Sequence, residues 1–549
     1  MTDLVLGPVL RHVGATDATV WVETAVPATV AVRIGSAVHT ERTWTVAGHH
    51  YALVEVTGLA PDTSSPYEVL LDDDVVWPEV GDERPPCRIR TVSEGRRVRI
   101  SFGSCRYARS AAVHGDDHYD ADALDCLSAS MMQQSEADWP DYLVMLGDQV
   151  YADETTPETR QRIADKRSLE LPPGAEVADF EEYTWLYHES WTDPEVRWLL
   201  ATLPSSMIFD DHDIRDDWNT SHSWREEMAQ TSWWRERIVG GLSSYWVYQH
   251  IGNLSPADLA ASEIYQQVRG SSGDVAELLR DFAVTADAEA DGGKGARWSY
   301  RRELGCARLL MIDSRCGRIL ADGQRSMTSD DEFAWISEQV QDPGSHLLIG
   351  TSLPWLLARA LQDLEAWNEA LCNGDAGEKW AVRGEKLRRG ADLEHWAAFR
   401  RSFLGLAGLL RSVASGERGD PPATVCVLSG DVHHAYVSRA DLGPGTESAV
   451  FQLTCSPLHN FVPRFVKVGF RLFWSRGFER GLRGLLGLVH RVPDHEISWT
   501  REGGPWFGNE LMTLQLDGRR ADLVVQRSGR AHDDLTLHDV ERRVLSSSA

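Results

Sequence analysis

Thr424-Val425-Cys426-Val427-Leu428-Ser429-Gly430-Asp431-Val432-His433 is the stretch on which the reading of this chain turns. An apolar β-type run that stops at a glycine and then releases an acid and an imidazole is how a strand buried on both faces presents metal ligands at a sheet edge. Three more runs end alike. Tyr142-Leu143-Val144-Met145-Leu146 leads into Gly147-Asp148-Gln149-Val150-Tyr151, Ser206-Met207-Ile208-Phe209 into Asp210-Asp211-His212-Asp213, and Val98-Arg99-Ile100-Ser101-Phe102 into Gly103-Ser104-Cys105-Arg106. The four endings together predict one metal site assembled from separated segments.

Around these runs, buried-type strands alternate with helical or irregular stretches from about residue 98 onward, the pattern of a layered α/β or mixed-sheet domain. Further strands are expected at Arg308–Asp313, His346–Gly350, Val450–Leu453, Leu511–Leu514 and Leu523–Val525. Upstream, Ala18–Glu23, Thr29–Ile34 and Ala52–Val56 are short β-type runs separated by turn-rich gaps, which predicts a small antiparallel sandwich. Its Gly58-Leu59-Ala60-Pro61-Asp62-Thr63 and Pro66-Tyr67-Glu68-Val69 resemble the strand corner of fibronectin type III modules. The expected division is a β domain over 1–95 and a catalytic domain over 96–549, with an insertion at about 155–300. That insertion is dense in Trp and Tyr at mostly helical spacing, which reads first as helix packing over the sheet and second as a pocket wall.

Residues 370 to 392 read as a mobile surface excursion. Residues 464 to 491 are basic and amphipathic, with seven Lys and Arg against Glu479 alone. Two readings stand for this segment: a solvated helix packed on its own domain, or a surface that touches a membrane or an anionic substrate.

A formal charge of -28 argues against a nucleic-acid-binding surface, since phosphate backbones repel it. The eight cysteines are scattered without a CxxC pair, the usage of a reducing compartment. With neither a secretion signal nor a spanning apolar stretch in view, the expected localisation is cytoplasmic.

Within the site, Asp148 and Tyr151 face one centre if the chain turns at Gln149. A carboxylate bridges two metal ions readily, and a bound phenolate calls for a hard, highly charged ion, which ferric iron supplies. Asp148 also suits a helix N-cap. Cys105 alone reads as a buried inert thiol, and only its place beside the other strand ends makes it a ligand. Arg106 would direct its guanidinium fork at a phosphate oxygen. Asp211 is the expected ligand of its cluster and His212 the group acting on the leaving oxygen, with Asp210, Asp213 and Asn219 as rivals for coordination. His433 is preferred to His434 because alternation puts it on the side of Asp431.

These blocks resemble the calcineurin-like metallophosphatase superfamily and, in their Gly-Ser-Cys-Arg, Gly-Asp-Gln-Val-Tyr, Asp-Asp-His-Asp and Gly-Asp-Val-His variants, its PhoD-like alkaline phosphatase branch. The resemblance implies an α+β fold with a four-layer αββα sandwich core. It implies Cys105, Asp148, Tyr151, Asp211, Asp431 and His433 as metal ligands, His212 and Arg106 as catalytic groups, and Asp313 and Arg315 as support near the pocket. The cofactors implied are Fe(3+) and Ca(2+), with another divalent metal as the alternative. The implied activity is phosphoric ester hydrolysis, mono- or diester, by a metal-activated hydroxide attacking phosphorus. The alternatives are a phospholipase-type diesterase acting on lipid head groups and a non-catalytic binding protein. Family members are often exported through a twin-arginine signal, which this chain does not show.

Overall fold

The computed structural model describes residues 3–108, 119–293, 295–321, 323–531 and 534–547. Its N-terminal strands build two four-stranded antiparallel sheets. One runs Leu4–Val13, Asp17–Thr24, His49–Thr57, Trp44–Val46, and the other Ala37–Arg42, Thr29–Ile34, Glu68–Leu71, Asp74–Trp77. The three runs expected as strands here all lie within these sheets. Strand Asp17–Thr24 is buried along both faces. Val20 and Val22 alternate with Trp21 and Glu23, and the second pair meets the Trp-rich segment: the Trp21 ring lies 6.2 Å from Trp191 and 5.2 Å from Tyr248.

Two mixed sheets form the larger part. In the first the order is Ser205–Ile208, Tyr142–Leu146, Val98–Gly103, Glu510–Asp517, Arg520–Ala531, Asp534–Ser546, with the first three strands parallel. In the second it is Tyr300–Leu304, Ala307–Met311, His346–Gly350, Thr424–Ser429, Ala449–Thr454, Ala435–Asp441, Ser498–Trp506, with a parallel centre of four strands and antiparallel margins. The continuous apolar runs are explained by burial on both faces. Leu310, Ile312, Leu347, Ile349, Val425 and Val427 face a core shared with helices Asp330–Gln339 and Arg400–Ala414. Their neighbours Leu309, Met311, Leu348, Cys426 and Leu428 join Ile100, Phe102, Val144 and Leu146 of the first sheet. Helix Ala123–Gln133 covers the outside of that sheet, which completes the expected helix–sheet–sheet–helix layering. Each such fully buried Leu or Val contributes roughly 1.5–3 kcal/mol, so a charge at Val427 would unseat both layers.

One expectation needs correction. The stretch 370–392 is mainly a helix, Glu378–Gly390, seated on helix Arg359–Cys372 with Arg388 buried. The Trp-rich stretch contains the core strand Ser205–Ile208, where the run 206–209 was expected, and meets the N-terminal sandwich. Arg11, fully buried, fastens the same junction by donating to Ser205 Oγ (3.1 Å), the Gln249 carbonyl (2.6 Å) and Asn253 Oδ1 (3.0 Å). Among the described residues no helix is long and apolar enough to cross a membrane.

Candidate metal centre

The parallel strands of both sheets deliver their C-terminal ends to one place. Cys105 N donates to the Gly147 carbonyl (3.2 Å) and Arg106 N to the Asp148 carbonyl (3.0 Å), so the first two endings are laced together. Asp431 N reaches across from the other sheet to Ser104 Oγ at 3.2 Å. The sheets approach this closely only because residue 430 is glycine, where any Cβ would collide with the Ser104 hydroxyl. Gly147 is needed for a similar reason: its φ is +125°, and a Cβ would stand 2.7 Å from that of Asp210. Cys105, Asp148, Asp431 and His433 themselves adopt left-handed backbone, with φ of 56°, 45°, 67° and 48°. The chain turns sharply as each strand stops, and the side chain swings off the strand axis.

Arg315 holds the acids. Its Nε donates to Asp210 Oδ1 at 2.5 Å, Nη2 lies 3.2 Å from Asp211 Oδ1 and 3.3 Å from Asp431 Oδ1, and Nη1 pairs with Glu394. One guanidinium does not neutralise so many buried carboxylates. Burial and then Asp210 push Asp148 well above the carboxylate range, and burial raises Asp210 and Asp211 although Arg315 opposes it. Asp148 Oδ1 and Asp210 Oδ2 are buried oxygens without a hydrogen-bond partner, and carboxylate oxygens of Asp148, Asp210 and Asp211 lie within 4.8 Å of one another. Such a donor set fits a multivalent cation, which would reverse the sign of the local electrostatics.

Tyr151 OH donates to Asp148 Oδ2 at 3.3 Å and accepts from Asn460 Nδ2 at 3.0 Å, so the turn after Asp148 does bring the two together. Cys105 Sγ lies 3.2 Å from Ser104 Oγ and 3.8 Å from the Asp431 carbonyl, its thiol pushed up by burial and by Asp148 and Asp431. His433 is pushed down to about 4 by burial, which keeps its ring neutral and fit to coordinate. His434 is committed elsewhere: Nε2 accepts from Trp474 Nε1 at 3.2 Å, so Nδ1 carries the proton donated to the Val432 carbonyl at 2.7 Å.

Two of the rivals at the third ending are tied within the protein. Asp213 accepts from Asp210 N (2.9 Å) and Gln249 Nε2 (3.2 Å), and Asn219 accepts from Arg225 (3.0 Å) while donating to the Arg315 carbonyl (3.1 Å). Arg106 is engaged within the protein: its Nε donates to Asp122 Oδ2 at 2.7 Å and Nη1 to Ser190 carbonyl and hydroxyl oxygens at 2.9 Å.

The profile described as PhoD-like phosphatase matches residues 126–465, more than half of the chain. The protein belongs to that family. A second profile, described only as a domain of unknown function (DUF7800), matches residues 1–89. Among curated proteins none matches. Among solved structures, one titled "Structure of PhoD" superposes on 100% of this chain and 93% of its own length with a TM-score of 0.58 at 11% identity, a likeness of fold. The purple acid phosphatase PPD1 from yellow lupin (Lupinus luteus) seeds covers 97% of this chain and 73% of its own at 10% identity, with a TM-score of 0.45.

In this PhoD-like chain four acid–imidazole contacts were missed from sequence. His212 Nδ1 meets Asp153 Oδ1 at 2.9 Å; despite burial, the imidazole holds Asp153 down to about 2. His395 joins Asp431 Oδ2 (2.9 Å) to Glu365 Oε1 (2.6 Å), Glu365 fully buried and Asp431 partly so. Asp216 stands 3.9 Å from His212 Nε2. The available signal for Asp153 is its spacing, two residues past Tyr151; nothing local marks His395, which sits in an irregular link after a helix. A separate cluster, Asp363, Glu479 and His495, lies under the basic segment, where Asp363 already accepts from Arg483 at 2.5 Å.

Proposed function

We propose that the chain hydrolyses phosphoric esters at this centre, with Cys105, Asp148, Tyr151, Asp211, Asp431 and His433 holding iron and calcium and Asp210 as an additional oxygen donor. The observation that carries the reading is the meeting of four strand ends around buried, unpartnered carboxylate oxygens in a PhoD-like phosphatase chain. When bound, such cations polarise a phosphoryl group and activate water. The protein's own part is positional and protonic. Asp153 accepts a hydrogen bond from the Nδ1–H of His212, so the imidazolium carries its second proton at Nε2, on the side of Asp216. As the oxygen of water bonds to phosphorus and the ester P–O bond breaks, that Nε2 proton passes to the leaving alkoxide. Arg315 fixes Asp210, Asp211 and Asp431 and stays out of substrate contact, since it is fully buried. Eight free cysteines accord with action in a reducing compartment.

Metal analysis of purified Asp148→Ala and His433→Ala, with paired assays on an aryl phosphate monoester and diester, tests the reading. Both variants should lose metal and turnover. Wild-type rates in either would overturn the ligand assignment.

A further inference from the structure

We infer that the helical pair Arg464–Phe473 and Arg476–Leu486, with the turn after it, is a docking surface for an anionic lipid bilayer. Each helix carries one broad apolar face opposite its basic residues. Part of that face packs on the body of the protein: the Phe470 ring lies 4.5 Å from His434, Trp474 lies 4.8 Å from Tyr436, and Leu482 and Leu486 join Trp367, Leu371 and Val492. An ordinary surface helix would bury the whole of its apolar face. Here Phe465, Val468 and Leu472 form an outward stripe at 78%, 56% and 46% exposure, continued by Phe478, Leu485 and Leu488. Single exposed leucines mean little. Of the seventeen exposed large apolar side chains among the described residues, however, eight fall between 461 and 489, which makes this a patch rather than scatter.

The charge around the stripe selects the occupant. Residues 464–491 carry seven basic side chains against Glu479 in a chain of formal charge -28. Arg483 and Arg491 are engaged by Asp363 and Asp494, whereas Arg464, Arg471, Arg476 and Arg480 make no ion pair among the described residues. A pair of helices with exposed Phe and Leu and arginines beside them fits the interface of a bilayer bearing anionic head groups, into which the apolar stripe inserts while the guanidinium groups meet phosphate. The seat is close to the metal centre, since His434 follows His433 in the chain and Asn460, just before the first helix, holds the Tyr151 hydroxyl.

The test is co-sedimentation of the metal-replete full chain with phosphatidylcholine vesicles and with vesicles that also contain phosphatidylglycerol. Binding is expected to the anionic vesicles only and to weaken when salt is raised from about 0.1 to about 0.5 M. Phe465→Glu with Leu488→Glu should lower it at least tenfold, and Arg476→Glu or Arg480→Glu by roughly fivefold each. These variants should keep the far-ultraviolet circular dichroism and the hydrolysis rate on a soluble aryl phosphate. No binding to either vesicle, or equal binding to both at either salt, overturns the inference. So does a wild-type dimer in light scattering that Phe465→Glu disperses, which would give the face to a second copy of the chain.

Discussion

His395→Leu removes the link between Asp431 and Glu365, and the structure sets the size of the effect. The imidazole sits between two carboxylates, donating to Glu365 Oε1 at 2.6 Å and to Asp431 Oδ2 at 2.9 Å; burial works against its charge, yet the two acids raise its pKa well above the ordinary value. Without it Asp431 keeps, among the described residues, only the Arg315 contact at 3.3 Å to fix its carboxylate. Loss of an outer hydrogen bond to a ligand lowers metal affinity by about 10- to 100-fold. Glu365 fares worse: it is fully buried, its Oε2 already has no partner, and His395 is the one group bonded to Oε1 among the described residues. Breaking a buried pair from one side costs about 3–5 kcal/mol, because the remaining charge is left uncompensated. Glu365→Gln with His395→Leu discards that charge and should therefore be the more stable protein, although it binds metal no better. Chelator competition gives the affinity, and thermal melting of the metal-free protein gives the stability order. A metal affinity within twofold of wild type in His395→Leu, or a double variant that melts below the single one, would refute the reasoning.

Three other outcomes follow from contacts described above. His49 bridges Glu23 (3.0 Å) and Glu181 (2.7 Å) between the N-terminal sandwich and the Trp-rich helices; burial opposes its charge, but the two acids raise its pKa from 6.5 to about 9. A raised folded value means the stabilisation is full below pH 6.5 and lost as pH climbs through about 9, worth about 1–2 kcal/mol after solvent screening, so wild type should lose its melting advantage over His49→Gln across that window. Gly430→Ala should lower the melting temperature by the equivalent of about 1–3 kcal/mol and reduce bound metal, because its methyl collides with Ser104 where the sheets meet; wild-type metal content would argue against so tight a junction. Arg106→Lys should cost about 1–3 kcal/mol of stability while KM for an aryl phosphate stays within twofold, since the guanidinium serves Asp122 and Ser190; a large rise in KM would return Arg106 to substrate contact.

The four strand endings were legible because a strand covered on both faces is written as an unbroken apolar run, and Val425-Cys426-Val427-Leu428 is one. The margins of the same sheets were not. Ser498–Trp506 and Asp534–Ser546 are partly exposed and lack an unbroken apolar run; the first is placed by a partner far along the chain, as where Arg439 pairs with Thr500, and the second by a hairpin with Arg520–Ala531. Helix Glu378–Gly390 was hidden by its Gly and Lys/Arg content, and its stability comes from packing, with Gly384 against Leu371 and Cys372. Asp-Ser-Arg was legible as support, but the four-way contact of Arg315 was not, because Asp210, Asp211, Glu394 and Asp431 come from three distant segments.

Backbone conformation says why so much of the site lies at sheet ends. Six of the twelve non-glycine residues with positive φ among the described residues are Cys105, Asp148, Asp217, Asn219, Asp431 and His433. Each left-handed residue of this kind costs roughly 1–2 kcal/mol relative to ordinary backbone. A flexible loop would relax such conformations, whereas here Cys105, Asp148, Asp431 and His433 follow strands hydrogen-bonded to a neighbour on either side, and the lacing of Cys105 and Arg106 to Gly147 and Asp148 leaves the chain no slack. Rigid placement also keeps acids together that would otherwise move apart, as the raised Asp148 and Asp210 show. A group of carboxylates held against both strain and repulsion gains most when a cation arrives, because little ordering is left for binding to impose. The expected signature is that metal raises the melting temperature while the far-ultraviolet spectrum stays constant; a large gain of secondary structure on metal addition would show that the sheets do not preform the site.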